Sequence, residues 1–181
     1  MSALIPNTLA VLVGIGISSG AVLAQSTASY SSVALTVPAA TESVPAPYDA
    51  SNVRMRLDKA HQLCEEGRWA EARREYASVA KLQRTHKVLA DEALWNLANL
   101  YYGDRQIRRA AATMDELADA AQLHGNPVVQ AKALIESAIL YQSLKMPEQA
   151  SARIERLQPL LDSPFLSAEL RESIEKRIAE E

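Results

Sequence analysis

Small and apolar residues in the second two-thirds of the chain fall into a pattern that repeats. A small residue, an aromatic or leucine three positions on, and an alanine nine beyond that recur in three stretches, beginning at Ala60, Ala98 and Ala138. In the first, Ala60, Leu63, Gly67, Trp69, Ala72 and Tyr76 follow one another. The second runs Ala98, Tyr101, Ile107, Ala110, Met114 and Leu117, and the third runs Ala138, Tyr141, Ala150, Ile154 and Leu157. Each stretch reads as two antiparallel helices. Alanines on the facing sides let the backbones approach, so Ala60 is expected to meet Ala72, Ala98 to meet Ala110 and Ala138 to meet Ala150. The turn inside each pair needs a residue tolerant of positive φ or a helix starter, which Gly67, Gly103-Asp104 and Met146-Pro147 supply. A seventh helix is expected after Asp162-Ser163-Pro164, with Leu166, Leu170, Ile174 and Ile178 at i, i+4 spacing and charge on its other face. Pro159 is expected to end or kink the helix before it.

The amino-terminal quarter follows no such pattern. Residues 9–17 read LAVLVGIGI, a run of signal-peptide length, followed by Ser18-Ser19-Gly20 and then Ala21-Val22-Leu23-Ala24. That predicts an export signal over residues 1–24, either cut after Ala24 or kept as an anchor, since residues 3–24 are uncharged over about the length that crosses a bilayer. No Lys or Arg precedes the apolar run, and no cysteine follows it to carry a lipid. Residues 25–50 are rich in Ser, Thr, Ala and Pro, cannot build a core, and read as a disordered tether with a reach of roughly 30 Å. Residues 51–181 then form the folded domain.

Composition sharpens this reading. The first charged residue is Glu42, and from residue 51 onward 19 Lys and Arg stand against 20 Asp and Glu. That near-neutral balance argues against a nucleic-acid partner. Abundant Ala, Leu, Glu and Arg with few Val, Ile and Thr favour an all-α domain without a sheet. Cys64 is the only cysteine and is expected to be a small buried helix residue. His61, His86 and His124 are too scattered for a metal site, so neither metal nor cofactor is expected. With no phosphate loop and no nucleophile beside a base, the chain reads as non-enzymatic.

Gly67-Arg68-Trp69-Ala70-Glu71-Ala72 and Asn96-Leu97-Ala98-Asn99-Leu100-Tyr101-Tyr102 resemble the tetratricopeptide repeat. The resemblance covers about residues 54–161. Its units recur after 38 and 40 residues, longer than that family's usual 34, and are similar to the variant found in bacterial envelope proteins of the Tol-Pal type. The resemblance implies a right-handed superhelical solenoid of about three antiparallel helix pairs plus a carboxy-terminal capping helix.

It also implies a concave face formed by the first helix of each pair. Leu57 and His61, then Trp95, Asn99 and Tyr102, then Ile135, Ile139 and Gln142 would point into it, with Arg54, Glu92 and Lys132 beside them. Trp95 and Tyr102 are the residue types of binding hot spots, although a helical tryptophan is also an ordinary core residue. In some relatives paired lysines and asparagines grip a peptide carboxylate. Here Asn99 fits that pattern but Leu57 and Trp95 replace the lysines, so an apolar or aromatic segment is the expected ligand. A second surface is suggested by charge. Residues 51–87 carry nine Lys and Arg against five Asp and Glu, and Arg73, Arg74, Lys81, Arg84 and Lys87 would face an acidic partner, anionic lipid or simply solvent. The expected function is a protein-protein interaction module of the bacterial periplasm, a scaffold or adaptor. The alternative is a membrane-anchored accessory subunit that stabilises a large, multisubunit membrane complex from its periplasmic side.

Overall fold

The computed structural model describes residues 47–179, and every regular element among them is helical: α1 (Ala50–Glu65), α2 (Trp69–Thr85), α3 (Asp91–Gly103), α4 (Ile107–Leu123), α5 (Pro127–Ser143), α6 (Pro147–Leu161) and α7 (Ala168–Ala179). Consecutive helices from α1 to α6 pack against one another, and α7 packs against α5. The expected export signal and most of the expected tether lie outside the described residues.

The alanines singled out by the repeat all lie in the interior: Ala60 and Ala72, Ala98 and Ala110, Ala138 and Ala150 are each buried. Around them Tyr76, Leu117, Leu134 and Leu157 are completely enclosed, each side chain contributing about 1.5–3 kcal/mol by leaving water. Asp49 caps α1, its Oδ1 accepting from the amides of Ser51 (2.9 Å) and Asn52 (3.2 Å). Asn126 caps α5 through the amide of Val129 at 3.1 Å, ahead of Pro127 in the first turn.

The five turns between α1 and α6 share one construction. In each, an amide bonds back to a carbonyl five residues earlier, as in Arg68 to Leu63 (2.8 Å), Val88 to Gln83 (2.9 Å), Gln106 to Tyr101 (2.8 Å), Asn126 to Ala121 (2.9 Å) and Met146 to Tyr141 (3.0 Å). This closure needs one left-handed residue just past the helix end. The positions are Gly67, Lys87, Arg105, Gly125 and Lys145, with φ of 74°, 56°, 59°, 63° and 57°. Gly67 therefore does what the sequence suggested, but Gly103 and Met146 do not. Gly103 closes α3, and Arg105 and Lys145 take the left-handed conformation, because its place is set by where the helix stops rather than by where a glycine stands. Pro147 does start α6.

Three other expectations shift. Pro159 does not end α6, which runs two residues further to Leu161. α7 opens at Ser167, whose Oγ accepts from the Leu170 amide at 3.2 Å, rather than at Asp162-Ser163-Pro164. Leu166 precedes the helix but is buried with Ile174, while Leu170 and Ile178 are half-buried against the core. Cys64 is half-buried rather than enclosed.

Candidate functional site

Several side-chain pairs join helices that are not consecutive in the chain. Arg54 on α1 reaches Glu92 on α3 at 3.4 Å, and the His61 ring lies 3.7 Å from Glu92 and 3.4 Å from the Asn96 amide. Arg177 on α7 pairs with Glu136 on α5 at 2.6 Å. Between these two links, α3 and α5 leave two cavities. One, of about 250 Å³, is walled by Trp95, Asn96, Val129 and Lys132. The other, of about 310 Å³, has Ala98, Met114, Ile139 and Leu140 for its floor, Asn99, Tyr102 and Ser143 at its edge, and the Glu136–Arg177 pair at one end.

The residues expected on this face separate into two groups. Asn99, Tyr102 and Ile139 line one cavity together, Trp95 lines the other, and His61 stands at the α1 end. Tyr102 is 57% exposed, whereas Trp95 is half-buried and packs against the core. Gln142 is half-buried on α5. Leu57 and Ile135, only 5% and 2% exposed, belong to the interior and are withdrawn as contact residues. Both lie on the inner edge of their helices, and periodicity alone does not say how wide a stripe the neighbouring helix covers.

The even-numbered helices are joined more heavily. Asp115 on α4 accepts from Arg153 Nε (3.0 Å) and Nη2 (2.6 Å) on α6, and from Ser137 Oγ (2.6 Å) and Tyr141 OH (3.0 Å) on α5. The Arg153 guanidinium also lies over the Tyr141 ring, 4.5 Å from its centre. Burial by itself would raise the Asp115 carboxyl, but the donors from Arg153, Ser137 and Tyr141 prevail and hold it below the usual carboxylate range. The Tyr141 hydroxyl moves up, through burial first and then through Asp115. Asp119 pairs with Arg156 at 2.6 Å, and Arg84 on α2 pairs with Glu116 on α4.

Sequence reasoning missed this cluster. Its only sign there is that Asp115 and Arg153 lie 38 residues apart, one repeat length. Of the five basic residues singled out over residues 51–87, Arg73 pairs with Asp104 and Arg84 with Glu116. The His86 ring lies tilted against Tyr48, their centres 5.5 Å apart, and no group of three metal-ligating side chains is gathered among the described residues. No helix among them is long and apolar enough to cross a membrane, and residues 3–24 lie outside that range. Comparison of the chain with protein-family models, with curated proteins and with solved structures gave no match.

Proposed function

We propose that this chain is a non-enzymatic protein-protein interaction module, a tetratricopeptide-like, right-handed superhelical solenoid that holds a segment of a partner protein against its odd-numbered helices. The observation that carries this reading is the stretch between the Arg54–Glu92 and Glu136–Arg177 pairs, where Trp95, Asn99, Tyr102 and Ile139 border two open cavities and no ion pair joins α3 to α5 among the described residues. Such a surface suits an apolar or aromatic segment. Aromatic side chains supply contact area at low entropy cost, and Asn99, Ser143 and the Tyr102 hydroxyl offer neutral hydrogen bonds to a backbone. The amino-terminal pattern supports export, with residues 1–24 as signal or anchor and the domain working in a bacterial periplasm.

A photo-crosslinking amino acid placed at position 102 or 139 in cells tests the reading. Both positions should capture the same protein, and Trp95→Ala with Tyr102→Ala should abolish capture from position 139 while the helical circular dichroism is unchanged. Equal capture in the double variant would end the proposal. The mass of the native chain tests export, since cleavage predicts that it begins at Gln25.

A further inference from the structure

A hollow larger than either cavity beside α5 lies against α2 and α4. A groove of about 780 Å³ runs between the carboxy end of α2, the start of α3 and the length of α4. Its apolar lining is Val88, Ala90, Leu94, Ala120 and Leu123, and Leu123 is 88% exposed, more than any other large hydrophobic residue described. The volume exceeds what one side chain fills and lies within the range of ligand sites. Leaving a leucine this far out beside an apolar hollow has a cost in water that a covering surface would remove.

The charges on its rim decide what that cover should be. Three of its carboxylates are already answered within the domain: Glu116 by Arg84, Asp115 by Arg153 and Asp119 by Arg156. Lys87 also lines the groove, is exposed, and has no carboxylate partner among the described residues. The imidazole of His124 completes the same rim. The unanswered charge is therefore positive. A basic segment would meet Lys87 and find every rim carboxylate occupied, whereas a carboxylate arriving with aliphatic side chains finds both a cation and a floor.

We propose that this groove is a second docking surface, separate from the odd-helix strip, which takes an acidic, aliphatic segment of a partner protein. With two surfaces on opposite layers, the domain would bridge two partners rather than hold one.

The test uses the full chain with labelled methyl groups and three probes: two short synthetic peptides with the same leucine pattern, one filled with glutamate and one with lysine, and a soluble short-chain phosphatidylglycerol. The glutamate peptide should shift the methyl signals of Val88, Leu94 and Leu123 without shifting that of Ile139. Its affinity should fall about tenfold or more in Lys87→Glu and in Leu123→Ser, both at exposed positions where the fold tolerates change, and should be unaltered in Tyr102→Ala. Equal binding of the lysine peptide would overturn the proposal, as would stronger shifts from the lipid than from the glutamate peptide. So would groove signals that move with protein concentration alone, which would mean that a second copy covers the groove.

Discussion

The even-numbered helices are tied together by charge along their whole run, α2 to α4 through Arg84–Glu116 and α4 to α6 through Asp115–Arg153 and Asp119–Arg156. Among the described residues, the odd-numbered helices are tied to one another by charge at the two ends, α1 to α3 and α5 to α7, and not between α3 and α5. One set of helices is thus braced along its run and the other has an unbraced middle. In the first, the enclosed Asp115–Arg153 pair and the hydrogen bonds to Asp115 hold neighbouring helices together; in the second, no such enclosed pair joins α3 to α5 among the described residues. Mutations should therefore cost stability in the even layer and binding in the odd one.

The largest expected effect is at Asp115. Removing its carboxylate in Asp115→Ala takes from the half-buried Arg153 the carboxylate it is hydrogen-bonded to and leaves it only the more distant Asp119, and chemical denaturation should show a loss of about 3 kcal/mol. A loss under about 1 kcal/mol would mean that the even layer is not braced there. Acid sharpens the same point. Because the folded carboxyl titrates below its unfolded value of about 3.9, the unfolded state binds the proton first as pH falls. Its contribution is complete above that value and drains away as pH drops through the folded one, so the acid limb of the stability curve should be shallower in Asp115→Asn than in the parent.

The turns that carry the chain between layers come next. Lys145 and Arg105 hold left-handed φ that costs a side chain roughly 1 kcal/mol, and Lys145→Gly or Arg105→Gly should leave thermal stability unchanged or raise it by up to about 1 kcal/mol. Gly67→Ala should lower it by about 1 kcal/mol from the same cause. If these signs were reversed, side-chain contacts rather than backbone conformation would govern the turns. Smaller still, Tyr102→Ala should alter unfolding free energy by less than about 0.5 kcal/mol while abolishing crosslinking from position 139. A large loss of stability would move Tyr102 into the core and erase the contrast between layers. Last, Arg54→Ala should be almost silent in a denaturation curve, below about 0.5 kcal/mol, because its pair with Glu92 is open to water.

Helix identity and the alanine seam were legible because both depend on neighbours in the chain. Ala60, Ala72, Ala98, Ala110, Ala138 and Ala150 could be picked out by spacing and all proved buried. The candidate face was legible only in part. The family resemblance placed Asn99, Tyr102 and Ile139 on one face, but it did not separate them from Leu57 and Ile135, whose burial is set by how closely the adjoining helices approach. The groove beside Leu123 was not legible at all, since its lining comes from three helices and a turn.

The chain's local chemistry determined that residues from about 50 onward would be helical and that the spaced alanines would lie in the interior. Those are consequences of propensity and of a period that a single helix already expresses. Only the tertiary structure decided which charges find partners. Asp115 meets groups 22, 26 and 38 residues away, and a carboxylate's solvation and counter-charges are properties of the packed assembly, not of the segment that carries it. The same holds for Lys87, whose charge is left over because the carboxylates around it are claimed by arginines from other helices.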